Sequence, residues 1–240
     1  DLFGLAHKWL RHLPGGLGIA TVMACAVFAA ITGSSVACAV TIGAIAIPEM
    51  LSRGYQRPLV LGAVAAGGTL GILIPPSIPM ILYGAITDES IGKLFMSGVI
   101  PGVIMTAMFT AIVVYSSRNL PREEAASWDE RFEALKKSFW GLMLPVIVVG
   151  GIYTGIFTPT EAAGIGTVYS LFITFCVYKT LGFKDIPGIL NDTIKTTCMI
   201  FAIMIGASLF GFVLTILDAP QALTNYVAEL ETSRWVVFIA

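Results

Sequence analysis

Thr32-Gly33-Ser34-Ser35 places four small polar residues between two apolar runs. Hydroxyl and carbonyl oxygens gathered this way are the ligand type that hard cations take. A second concentration lies at Pro75-Pro76-Ser77-Ile78-Pro79. Its three prolines remove amide donors and clash with the carbonyls before them, while Gly67, Gly68 and Gly71 loosen the preceding turns. The carbonyls around Leu73 and Ile74 are thereby freed next to the Ser77 hydroxyl. A third candidate is Thr158-Pro159-Thr160-Glu161, because a carboxylate near a membrane segment is expensive and often functional. Yet Thr at the N-cap, Pro at N1 and Glu at N3 are a helix-start signature in their own right, and the motif is expected to be a structural cap. Enzyme chemistry lacks a constellation: there is no H-E-x-x-H, no nucleophile–His pairing and no intramembrane Asp pair.

The background to these motifs is strongly apolar. Of 240 residues, 56% are hydrophobic and 12% charged, and the mean hydropathy is +0.86. Soluble domains carry roughly 25% charged residues, so a soluble globular domain is excluded. Fibrous, disordered and disulfide-scaffold classes fall as well. A net charge of −1 gives no reason to expect a nucleic-acid partner. Cys25, Cys38, Cys176 and Cys198 lie inside apolar stretches without C-x-x-C spacing and are expected to be buried, unpaired hydrophobes. His7 and His12 flank Lys8 and Arg11 as interfacial side chains, too few ligands for a metal site. The start at Asp1 and the stop inside an apolar run suggest an internal piece of a larger membrane protein.

Polar punctuation divides the chain. Residues 1–13 form an amphipathic arm, with Leu2, Leu5, Leu10 and Leu13 set against His7, Lys8, Arg11 and His12; such a helix lies in the membrane interface. Residues 14–52 pair two apolar arms around the Thr32–Ser35 motif. A long apolar segment, 59–87, is broken by the prolines, and a span follows at 94–116. Residues 117–138 are the most charged stretch, expected to be a cytoplasmic loop or helix. Three further spans are expected over 139–217, then a second amphipathic arm and the start of another apolar run over 220–240.

Let the 14–52 segment enter and leave on one side, and each later apolar run cross once. All of the 14 Lys and Arg residues except Lys93 and Arg234 then fall on one side, which the positive-inside rule makes cytoplasmic. Two arrangements fit the Thr32–Ser35 motif, a loop between two full spans or the tip of a re-entrant hairpin. Arms of roughly fifteen residues reach only ~22 Å, short of the ~30 Å hydrocarbon core. A buried tip is tolerated only where its backbone lines a cavity or binds something. The neighbouring broken helix favours the hairpin, because secondary transporters build their sites from such breaks: free carbonyls take cations and helix N-termini take anionic groups.

Ile31-Thr32-Gly33-Ser34-Ser35, Ile47-Pro48-Glu49-Met50 with Arg53-Gly54-Tyr55, Gly68-Thr69-Leu70-Gly71-Ile72-Leu73-Ile74-Pro75-Pro76-Ser77 and Phe157-Thr158-Pro159-Thr160-Glu161-Ala162 occur in that order along the chain. Together they resemble the large membrane (permease, DctM-like) subunit of tripartite ATP-independent periplasmic (TRAP) transporters, within the ion transporter superfamily. The resemblance implies an all-α, polytopic inner-membrane protein of bacteria. It would be built as inverted repeats with re-entrant hairpins and broken helices, and would work as an elevator. It implies sodium-coupled import of organic acids, with sodium as the coupling ion and no other cofactor. The partners implied are a small membrane subunit (DctQ-like) and a periplasmic substrate-binding protein (DctP-like). Carried over residue by residue, it implies a sodium site of Gly33, Ser34, Ser35, Gly71, Leu73, Ile74, Pro75 and Ser77. Ser34, Ser35 and Pro76 would face the carboxylate substrate. The matching second hairpin would begin near Trp235. The two amphipathic arms, 2–13 and 221–231, fall on opposite faces by the charge pattern, as inverted repeats require.

Two other functions fit a hairpin-built membrane protein. One is an ion-coupled anion transporter working without a binding protein, which a test for binding-protein dependence would separate. The other is an ion channel, which would conduct without substrate. The substrate stays open among sialic acids, four-carbon dicarboxylates, other sugar acids and keto acids.

Overall fold

Prolines and glycines stop several of the helices described in this chain. The computed structural model describes residues 2–118 and 124–229. Its elements in chain order are α1 (Leu2–Leu10), α2 (Gly16–Thr32), α3 (Ser35–Ser52), α4 (Arg57–Leu73), α5 (Ile78–Thr87), α6 (Ile91–Ser116), α7 (Trp128–Tyr153), α8 (Pro159–Phe172), α9 (Ile186–Ile216) and α10 (Ala219–Glu229). A π-helical turn, Ile173–Val177, extends α8. The described residues hold no strand. Six helical segments among them are long and apolar enough to cross a membrane: α3, α4 with α5, α6, α7, α8 with its π turn, and α9. The chain is therefore an all-α polytopic membrane protein. It divides into two compact units, Asp1–Val177 and Tyr178–Ala240.

In the first unit, α2 ends because Gly33 takes the left-handed conformation (φ 62°) and returns its N–H to the Ala29 carbonyl. Ser34 then turns extended and caps α3, its Oγ accepting from the Ala37 N–H at 3.3 Å. Two residues thus reverse the chain. α2 and α3 pack on α4 through small side chains, the close-approach chemistry of membrane helices. A Cβ on Gly67 would fall 2.8 Å from Cys25 Sγ, one on Gly43 2.9 Å from Val64 Cγ1, and one on Gly68 2.8 Å from Ala39 Cβ. Val22, Cys25, Cys38, Ala46, Met50 and Val60 are fully buried in this three-helix core.

α6 serves as a ruler for the hairpin. Its 26 residues rise about 39 Å. Its start lies at the end of α5, where Gly84 meets Ile91 and Leu94, and its end lies at the start of α2, where Gly15 meets Ser117 and Gly18 meets Val113. Between these ends, Gly98 abuts the Leu73 carbonyl and Gly102 abuts Ile74. The α4–α5 break, and the α2–α3 tip that touches it, therefore lie alongside the middle of α6. The arms of 17 and 18 residues rise only about 26 and 27 Å.

Several boundaries depart from the sequence reading. α7 begins at Trp128, well inside the 117–138 stretch expected to be a cytoplasmic loop or helix, and continues to Tyr153. Ser127 and Glu130 form a reciprocal capping box at its start, and the charged turns carry no Gly or Pro to stop a helix that later becomes apolar. α1 stops at Leu10, and α9 starts at Ile186, so Lys195 lies within a 31-residue helix. Cys25 and Cys38 are buried as expected, but Cys176 and Cys198 are exposed. Cys198 lies on α9, which has no buried residue. The expected hairpin start at Trp235 and the end of the second arm lie outside the described residues.

The close approach of α4 to the tip gives a paired test. A Cβ on Gly71 would fall 2.6 Å from the Ser34 carbonyl oxygen and 2.9 Å from the Ser35 nitrogen, both backbone atoms that cannot rotate away. Gly62, on the same helix, faces open space. Gly71→Ala should destabilise by about 1–3 kcal/mol through overpacking. Gly62→Ala should be neutral, or stabilise by roughly 0.5–1 kcal/mol. Thermal unfolding of the full-length protein in detergent separates them; equal midpoints for the two variants would refute the packing.

Candidate functional site

Four helix ends meet where the hairpin tip touches the break. α2 ends at Thr32 and α4 at Leu73, while α3 starts at Ser35 and α5 at Ile78. The two C-termini bring partial negative charge and the two N-termini partial positive charge. The cause is local. Pro75, Pro76 and Pro79 have no N–H, so the Gly71, Ile72 and Pro75 carbonyls lose the donor four residues on. The Ile78 N–H, at the first position of α5 and so without an acceptor in its own helix, donates to the Gly33 carbonyl at 3.4 Å. The buried Ser77 donates its hydroxyl proton to the Ile72 carbonyl at 2.6 Å.

The residues singled out in the sequence fall into two groups here. Gly33, Ser34, Ser35, Gly71 and Pro76 come together. A Cβ on Gly33 would lie 2.5 Å from the Pro76 oxygen, and Gly71 abuts the Ser34 carbonyl. Leu73 and Ile74 turn the other way, toward Gly98 and Gly102 on α6. Ile74 and Pro75 line an apolar cavity of about 930 Å³ between α2, α6 and α7, whose hydroxyls come from Thr106 and Thr110. Ser77 lies between the groups with its proton committed to Ile72. Two contributors stand outside the residues assigned to the site from the sequence. Gly68, on the tip side, would place a Cβ 3.3 Å from the Ser35 oxygen, and the Ile78 N–H bonds the tip. The Gly98-Val99-Ile100-Pro101-Gly102 spacing was a readable signal for the close approach of α6. Among the described residues, no cluster of His, Cys, Asp or Glu could hold a metal ion, so a cation at the tip would rely on hydroxyl and carbonyl oxygens.

Glu161 is occupied elsewhere. Its Oε2 accepts from the Thr158 N–H at 2.8 Å and from the Thr158 hydroxyl at 2.9 Å, while Thr158 Oγ1 accepts from the Glu161 N–H at 3.3 Å. The complete capping box agrees with a structural role.

A short hairpin set tip-to-break against an interrupted helix, inside a bundle of apolar spans, defines an all-α integral membrane protein. The chain belongs to the family described as tripartite ATP-independent periplasmic transporter, DctM component, whose family model matches residues 1–240. It is 42% identical over 240 residues to the C4-dicarboxylate TRAP transporter large permease protein DctM of Pseudomonas aeruginosa, covering 99% of this chain and 56% of that protein. It is 37% identical over 241 residues to the ectoine TRAP transporter large permease protein TeaC of Halomonas elongata, covering 100% of this chain and 56% of the relative. The sialic acid TRAP transporter large permease protein SiaM of Vibrio cholerae is 34% identical over 240 residues, 99% of this chain and 56% of its own. The chain thus spans a little over half the length of these relatives, all of which are named as transporter permeases.

The capping box yields a direct check. Glu161→Gln retains an acceptor for the Thr158 N–H and should express and transport nearly as the parent does. Thr158→Val removes the cap and should cost about 1 kcal/mol of stability. Uptake assays scaled to membrane expression decide the point: full expression of Glu161→Gln with no transport would assign the carboxylate a functional role.

Proposed function

We propose that this chain is the portion of a sodium-coupled organic-acid importer's large permease that carries one sodium site, at the contact between the α2–α3 tip and the α4–α5 break. The observation that carries this reading is the junction of four helix ends at one place in an apolar bundle. Cations are favoured at the carbonyl-rich C-termini of α2 and α4, and a carboxylate at the N-termini of α3 and α5. Oxygen ligands suit a hard, weakly held cation, and the oxygens of Gly33, Ser34, Ser35 and Pro76 are concentrated there. Ser34 and Ser35, at the start of α3, and Pro76, leading into α5, would face a substrate carboxylate. Leu73, Ile74, Pro75 and Ser77 support the geometry from the α6 side. The hairpin is re-entrant in this reading, its tip ending within the membrane alongside the middle of α6.

The positive ends of α3 and α5 favour an anionic substrate, and the relatives named for C4-dicarboxylate and sialic acid support a carboxylate. Delivery by a DctP-like periplasmic binding protein and assembly with a DctQ-like small subunit complete the proposal, with transport by an elevator movement and no enzymatic step.

Two measurements test it on the full-length permease with its partners. In reconstituted vesicles, Ser34→Ala with Ser35→Ala should raise the sodium concentration needed for half-maximal uptake by about tenfold, the loss of one or two modest oxygen contacts. Because Ser34 also caps α3, Ser34→Thr should keep both oxygen and cap and stay near the parent. Uptake indifferent to sodium gradients, or undiminished sodium dependence in the double variant, would overturn the site. The second measurement is access. A single cysteine at Ser35, in a background lacking Cys25, Cys38, Cys176 and Cys198, should react with impermeant thiol reagents mainly from the cytoplasmic side and be protected by sodium. Rapid labelling from outside under all conditions would mean two full spans and no re-entrant tip.

A further inference from the structure

We propose that the groove between α1, α2 and α7 binds one anionic phospholipid, with an acyl chain in the groove and the headgroup phosphate on Arg131. The groove has a volume of about 340 Å³. One wall is the apolar stripe of α1, formed by Leu2, Leu5, Ala6, Trp9 and Leu10; Met23 and Val27 of α2 and Leu135 of α7 supply the others. This stripe has the spacing of an interfacial amphipathic helix, yet it does not close against its neighbours and leaves a slot lined by hydrocarbon.

Polar chemistry begins at Trp9. The Arg131 guanidinium carbon stands 5.7 Å from the Trp9 ring centroid and 5.1 Å from that of Trp128. Its Nε is buried and has no hydrogen-bond partner among the described residues. A buried guanidinium donor left unmatched is costly, and the planar fork suits the oxygens of a carboxylate or a phosphate. Two of the neighbouring carboxylates are engaged elsewhere. Glu130 accepts from Arg11 at 3.4 Å and from the Ser127 N–H at 3.0 Å, and Glu133 pairs with Lys137 at 2.9 Å. Lys8, Arg11, Arg131, Lys136 and Lys137 outnumber Asp129, Glu130 and Glu133 on these two helix ends, so an acidic headgroup is favoured over a zwitterionic one. Tryptophan beside a cation at the end of an apolar groove is also the arrangement of a membrane interface. Trp9 belongs to both halves: it lines the groove and stacks under Arg131. A slot of hydrocarbon and an unmatched cation sharing one side chain are complementary to a phospholipid, whose chain and phosphate are joined in the same way.

The test uses the full-length permease, delipidated in mild detergent and examined by native mass spectrometry. Titrants are dioleoyl-phosphatidylglycerol, phosphatidylcholine with the same chains, and inorganic phosphate. One phosphatidylglycerol per permease should bind more tightly than phosphatidylcholine, and inorganic phosphate should not displace it. Arg131→Gln, which removes the charged fork, and Leu135→Trp, which fills the groove, should each weaken that binding by about tenfold. Unchanged phosphatidylglycerol binding in either folded variant, equal affinity for phosphatidylcholine, or displacement by inorganic phosphate would overturn the proposal. Should Arg131→Gln fail to fold, Leu135→Trp decides alone, since it keeps the cation in place.

Discussion

The constraint on which this structure turns is the backbone hydrogen bond inside an apolar medium. A peptide N–H or carbonyl without a partner there costs several kcal/mol by general estimates. Pro75, Pro76 and Pro79 nonetheless withdraw three donors from a single apolar segment. At short range the Ser77 hydroxyl supplies a donor to the Ile72 carbonyl, and at long range the Ile78 N–H that opens α5 crosses to the Gly33 carbonyl. The second bond ties two segments more than forty residues apart in sequence and makes the hairpin tip and the helix break one unit.

Glycine makes that contact sterically possible. Gly33 supplies the left-handed turn that closes the hairpin, and Gly71 lets the Ser34–Ser35 backbone lie against α4. Gly98 and Gly102 do the same for α6 on the other side of the break. The broken helix is therefore approached closely from two directions: by the Ser34–Ser35 backbone at Gly71, and by α6, where Gly98 meets the Leu73 carbonyl and the Met80 side chain and Gly102 receives the Ile74 side chain. Rigid, small-residue packing of this kind suits a site that must present oxygens at fixed spacing, because no flexible side chain has to be ordered when a ligand arrives.

Away from this core the chemistry changes. α7 carries charges and aromatics in its first turns and apolar residues later, and α1 lies against it through Arg11, Trp9 and Arg131. The same α1 leaves part of its apolar stripe uncovered. In the phospholipid proposal a lipid chain covers that stripe, and the cation flanked by tryptophan takes the headgroup level.

Much was legible in the residues alone. Composition and run length were enough for an all-α membrane protein, because hydrocarbon admits few other spanning structures. The polar Thr32–Ser35 interval and the triple proline marked the two interruptions, since missing donors and small polar residues are local facts that need no partner to be recognised. Thr158-Pro159-Thr160-Glu161 foretold its own capping box for the same reason. Whether 117–138 was loop or helix stayed open, because charge and hydropathy change along α7 while its backbone does not. Cys176 and Cys198 were wrongly expected inside, since an apolar neighbourhood in sequence does not distinguish a protein core from an outward face. Tertiary structure alone decided that Gly71 and Pro76 meet the tip while Leu73 and Ile74 turn to α6, and that the Ile78 N–H serves Gly33. Helical periodicity specifies the direction in which a residue points, but not which neighbour stands there; that depends on the packing of segments distant along the chain.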